Sequence, residues 1–138
     1  MLAVGNQVLN TINCKKLLVI DDEAIIREIV QYCLEDLAGW DVVTAESAKE
    51  GLFQVTAENP DGIILDLSMP GTDGLTFLQL LRANPLTQSI PVFLLTARSE
   101  FTDPRWIFSL GLAGALAKPF DPYELVEIIA TAFGWTIA

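Results

Sequence analysis

Histidine is absent from the 138 residues. That excludes imidazole acid–base catalysis, histidine metal ligands and a phosphohistidine carried on this chain. Basic residues are few: 8 Lys and Arg stand against 18 Asp and Glu, for a net charge of −10. With no basic cluster to neutralise phosphates, direct binding of nucleic acid is not expected. No apolar stretch approaches the ~20 residues that cross a bilayer. Residues 1–13 lack the basic start and apolar block of a signal peptide. These absences lead us to expect a soluble, cytoplasmic protein. Only two cysteines occur, Cys14 and Cys33, which make no disulfide framework. Cys33 falls on the apolar face of an expected helix and is assigned to the core, whereas Cys14 is read as a free thiol in a tail.

What is present is apolar and periodic. Hydrophobic residues make up 51% of the chain, enough for one domain with its own core and too many for disorder. Residues 1–15 have weak periodicity and read as an N-terminal extension, with one domain over 16–138. From Lys16 onward strand and helix patterns alternate. Strands are expected at 16–21, 41–45, 61–66, 90–95 and 113–117. They are apolar on both faces, as in a parallel sheet covered by helices on both sides. Helix one is expected from Glu23 to Ala38, with Ile26, Ile29, Val30, Cys33, Leu34 and Leu37 as its core stripe. Ser47 and Glu50 form a capping-box pair for helix two. Helix three follows Gly74, with Leu75, Leu78 and Leu81 at helical spacing. Asp103-Pro104 and Asp121-Pro122 are caps followed by proline at the first helical position. Five βα units specify a doubly wound α/β domain with a five-stranded parallel sheet. Nothing after Gly134 reads as an output domain.

Four of the apolar runs end on a chemical group. Lys16-Leu17-Leu18-Val19-Ile20 leads to Asp21 and Asp22. Gly62-Ile63-Ile64-Leu65 leads to Asp66, Pro91-Val92-Phe93-Leu94-Leu95 to Thr96, and Gly114-Ala115-Leu116-Ala117 to Lys118. Open α/β sheets place their ligands at this carboxyl edge. Asp22 alone would serve as a helix cap. Two adjacent acids beside a third, however, concentrate charge that is costly without a cation. Oxygen ligands of this kind suit Mg²⁺. A carboxylate beside Mg²⁺ can attack phosphorus and form an acyl phosphate. Lys118 would then screen the incoming charge and Thr96 would donate to a phosphoryl oxygen.

At these residues the chain resembles the response-regulator receiver domains of bacterial two-component signalling, in the manner of a stand-alone chemotaxis regulator. The resemblance covers about residues 16–134. It is carried by Asp21-Asp22, by Asp66-Leu67-Ser68-Met69-Pro70-Gly71-Thr72-Asp73-Gly74, by Thr96-Ala97 and by Lys118-Pro119-Phe120. It implies the flavodoxin-like strand order 2-1-3-4-5. It also implies that Asp66 accepts a phosphoryl group from a histidine kinase or phosphotransfer protein. Asp22, Asp66 and the Ser68 backbone carbonyl would hold Mg²⁺, with Asp21 acting mainly through water. Thr96, Ala97 and Lys118 would bind the phosphoryl group and switch, and the peptide before Pro119 would be cis. Ser68 and Arg98 sit at loop positions that tune phosphoryl lifetime in the family.

One position departs from the pattern. Many receivers carry an aromatic ring three residues before the lysine, where this chain has Ala115. Either the signal then travels by backbone and helix-four movement, or Trp106 or Phe108 takes the ring's part, or the switch is weak. Helix four shows two apolar stripes. Ile107, Leu110 and Gly111 are expected to meet the sheet, while Pro104, Phe108 and Leu112 are expected to point outward. With Trp106 and Ala115, that outer stripe is the expected face for a partner protein or a second copy, unless Phe108 folds back onto Trp106. Two rival readings are weaker. A haloacid-dehalogenase-type phosphohydrolase wants a second acid where Ser68 stands, and a lid. A phosphorylation-independent module would normally lack one of the acids or the lysine.

Overall fold

A computed structural model describes residues 14–67 and 74–137. Five parallel strands form one sheet: β1 (Lys16–Ile20), β2 (Asp41–Ala45), β3 (Gly62–Leu65), β4 (Val92–Thr96) and β5 (Gly114–Ala117), in the order β2-β1-β3-β4-β5. The helices are α1 (Ala24–Ala38), α2 (Ala48–Glu58), α3 (Gly74–Ala83), α4 (Pro104–Ser109) and α5 (Pro122–Phe133), with a 3₁₀ turn at Ser99–Thr102. This is the doubly wound fold and strand order that the sequence led us to expect. Residues 1–13 and Ser68, which carry the expected extension and one expected metal ligand, lie outside the described residues.

Alternation along the buried strands builds two cores. Leu17, Val19, Ile64, Phe93 and Leu95 point to one face, where α1 contributes Val30, Cys33 and Leu34 and α5 contributes Leu125 and Ile129. Leu18, Ile20, Ile63, Leu65, Val92 and Leu94 point to the other, against Val55, Phe77, Leu78 and Leu81. Helices α2, α4 and α5 start where a cap was expected. Ser47 Oγ accepts the Glu50 amide, Asp103 accepts the Arg105 amide and Asp121 accepts the Tyr123 amide. At α1 the cap position is Glu23 rather than Asp22, and it makes no side-chain cap bond. Helix α1 ends at Gly39 (φ 72°) and α5 at Gly134 (φ 70°), left-handed positions that favour glycine.

The structure corrects three packing expectations. Leu37 is 42% exposed, because it sits at the margin of its helix's apolar stripe. Leu112 does not point outward. Helix α4 stops at Ser109, and Gly111 (φ 67°) turns the chain back, so Leu112 packs into the core at 8% exposure. Gly111 itself is exposed, and a methyl group added there would meet nothing within 4 Å, so it is not a packing position against the sheet. Among the described residues no helix is long and apolar enough to cross a membrane.

Candidate functional site

The site is built by extending the sheet's hydrogen bonds one step past the strand ends. The Asp21 amide donates to the Ala45 carbonyl at 3.1 Å, and the Asp66 amide donates to the Ile20 carbonyl at 3.0 Å. The Lys118 amide donates to the Thr96 carbonyl at 2.8 Å. Asp21, Asp66 and Lys118 therefore share one edge, fixed by the backbone rather than by side-chain choice. The Lys118–Pro119 peptide is cis.

Lys118 Nζ stands among three carboxylates. It donates to Asp21 Oδ2 at 2.7 Å, to Glu23 Oε1 at 3.0 Å and to Asp66 Oδ2 at 3.3 Å. The Asp21, Asp66 and Lys118 side chains are only 3%, 2% and 8% exposed, whereas Glu23 is 56% exposed. The other Asp21 oxygen accepts the Glu23 amide at 2.9 Å, and the Asp21 carbonyl accepts from Arg27 Nη1 at 2.7 Å. Burial pushes the Asp21 carboxyl above its usual value and the Asp66 charge adds to this, while Lys118 and the Glu23 amide pull the other way. Burial alone would lower the Lys118 ammonium, but its bonds to Asp21 and Glu23 and the charges of Asp21 and Asp66 outweigh that and hold it above the usual lysine value.

Asp21, Asp22, Glu23 and Asp66 each offer one oxygen, and these oxygens all lie within 4.8 Å of one another. An all-oxygen set, half of it open to solvent at Asp22 and Glu23, fits a hard divalent cation that keeps some of its water. Four acids facing a single lysine leave an excess of negative charge that such a cation would balance.

The comparisons decide the family. Residues 17–130 match the family described as "Response regulator receiver domain". The chain belongs to the response-regulator receiver family. Receivers of this family act as phosphorylation switches rather than as metabolic enzymes. This receiver is 41% identical over 115 residues to the phosphate regulon transcriptional regulatory protein PhoB of Klebsiella pneumoniae, covering 83% of this chain and 50% of that protein. It thus spans about half the length of the curated relatives it matches. Among solved structures it resembles the chemotaxis response regulator CheY4 of Vibrio cholerae, with TM-score 0.77 and 30% identity over 86% of this chain and 98% of that one. The receiver domain of Francisella response regulator 1452 gives TM-score 0.74 and 30% identity over 87% and 97% of the two chains.

In this receiver the structure gathers Asp21, Asp22, Asp66 and Lys118 as a cluster. Thr96 ends β4 fully buried and Ala97 follows it exposed. Sequence reasoning missed Glu23 and Arg27. The run Asp21-Asp22-Glu23 carried a signal for the first, since a third acid continues the pair. Arg27 binds only a backbone carbonyl, and no spacing announces that. On the expected partner face, Phe108 is 87% exposed and does not fold back. Trp106 is half-buried and stacks instead on Phe101, and Ala115 is half-buried against the core.

Proposed function

We propose that residues 16–138 form a phospho-accepting receiver in which Asp66 takes a phosphoryl group from a phosphohistidine of a kinase or phosphotransfer protein, with residues 1–15 as an extension. The observation that carries this reading is the buried contact of Lys118 with both Asp66 and Asp21 at the carboxyl edge of the sheet. An Asp66 carboxylate oxygen bonds to phosphorus as the phosphorus–nitrogen bond breaks, and the departing imidazole keeps that electron pair. Asp21, Asp22, Asp66 and the Ser68 carbonyl would hold Mg²⁺, which supplies charge to the phosphoryl oxygens and orients them. Lys118, already beside Asp66, pairs with the added phosphoryl charge. Thr96 donates its hydroxyl proton to a phosphoryl oxygen. The change is read by another protein on the surface of α4, β5 and α5, where Phe108 offers an exposed ring.

Intact-protein mass spectrometry after incubation with acetyl phosphate tests the chemistry. A single phosphoryl adduct that requires both Mg²⁺ and Asp66 is expected. An adduct of equal yield on Asp66→Asn would reject the assigned acceptor.

A further inference from the structure

Ala115 leaves the middle of β5 without a ring, yet an aromatic pair reaches that strand from elsewhere. Phe101 and Trp106 stack with centroids 4.6 Å apart and planes 13° from parallel. Phe101 belongs to the Ser99–Thr102 turn, which packs against β5. Phe101, Trp106 and Ala115 all lean on the same buried cluster. Arg98 joins this pair to Thr96 in three ways. Its amide donates to Thr96 Oγ1 at 3.1 Å. Its carbonyl accepts the Phe101 amide at 3.0 Å. Its guanidinium lies 4.8 Å from the centre of the Phe101 ring and bonds Glu100 at 2.8 Å. A fully buried hydroxyl beside the site is thus linked to a half-buried indole by contiguous contacts.

We propose that this Thr96–Arg98–Phe101–Trp106 chain transmits the phosphorylation state of Asp66 to the α4 surface, in place of a ring at position 115. The inference rests on Asp66 being the acceptor. A phosphoryl group adds roughly −1.5 to −2 charge near Thr96. When the Thr96 hydroxyl swings toward it, the Arg98 amide loses its acceptor. That bond is part-buried, so the amide must find a new acceptor as the start of the turn rearranges. Phe101 is tied to Arg98 through both backbone and ring, and moves with it. Packed interiors shift between discrete arrangements rather than deforming smoothly, so Trp106 follows or the stack breaks. Phe108 lies two residues after Trp106, and its exposed ring is carried along.

The test uses 5-fluorotryptophan-labelled protein, whose three tryptophans give three fluorine lines. Trp106→Phe identifies the line of interest. Beryllofluoride with Mg²⁺ stands in for the phosphoryl group, and its own bound fluorine signal reports occupancy of the site. On occupancy the Trp106 line should move by several linewidths while the lines of Trp40 and Trp135 hold. Phe101→Leu should remove most of that movement at unchanged occupancy, with the Trp40 and Trp135 lines at native positions showing that the variant is folded. Should it fail to fold, Phe101→Met, which keeps an apolar side chain and removes the ring, serves in its place. A Trp106 line that stays fixed in the occupied protein overturns the proposal, as does a full shift in the variant. Absence of any bound beryllofluoride signal in the unsubstituted protein rejects the reading of Asp66, and the relay with it.

Discussion

Replacing Lys118 with methionine keeps most of the buried stem and deletes the one charge that three carboxylates share. The Asp21 pair dominates the effect on stability, since its charged groups are 2.7 Å apart and the two side chains are 3% and 8% exposed. The Glu23 arm adds little, because a carboxylate 56% exposed is screened by water. Breaking a buried ion pair by removing one partner costs roughly 3–5 kcal/mol. The solvent opening at Asp22 and Glu23 places this case at the low end, about 3 kcal/mol. At about 3 °C per kcal/mol for a domain of this size, the melting temperature in EDTA should fall by about 9 °C. Two further measurements assign the loss to charge. Adding Asp66→Asn to the Lys118→Met protein removes the like charge facing Asp21, and should return part of the loss. A divalent cation at a hundredfold its Kd should return about 2.7 kcal/mol. Thermal unfolding of the parent, Lys118→Met, Asp66→Asn and the double variant, with EDTA and with excess Mg²⁺, reads all of this. A Lys118→Met protein melting within about 2 °C of the parent in EDTA would refute the reasoning. So would Mg²⁺ that stabilises the parent more than the variant.

Asp66→Asn should lose all phosphorylation while keeping its cooperative unfolding, checked by mass spectrometry and circular dichroism. Leu112→Ala should cost about 2–3 kcal/mol in urea unfolding, because its side chain fills the core. Phe108→Ala, at an 87% exposed ring, should stay within about 0.5 kcal/mol of the parent while weakening any partner bound to that face. Gly74→Ala should slow acetyl-phosphate labelling, since a methyl group there would meet the Leu67 side chain, its Cα at 3.0 Å and the Asp66 carbonyl at 3.3 Å. Labelling at the parent rate would show that Leu67 and Asp66 yield without moving the acceptor.

Legibility in the sequence followed the physics of each element. The strands declared themselves as apolar runs because both faces of the sheet are covered. Their ends were blurred by a residue or two: β3 closes at Leu65, so Asp66 lies just beyond it, while β4 includes Thr96. The caps at Ser47, Asp103 and Asp121 were legible because one short side chain followed by a helical start is a local signal. Leu112 was misread because helical periodicity was carried past Ser109, where a left-handed glycine resets the direction of the chain. The acids and the lysine were legible as strand-end residues. Their mutual geometry was not, because the contacts join segments far apart in the chain. The Phe101–Trp106 stack was hidden for a related reason. Its first ring lies in a 3₁₀ turn that periodicity does not mark.

The bond between Lys118 and Asp21 spans 97 residues. Local folding of the first half of the chain would bring Asp21 and Asp66 together without the Lys118 ammonium that bonds both. The site gains this lysine only when β5 has docked on β4, the last step in sheet order. Non-local closure of this kind is slow to form. The centre is therefore a gauge of complete assembly. Any nick or truncation that frees β5 should silence the chemistry at Asp66, even where β1, β2 and β3 stay paired.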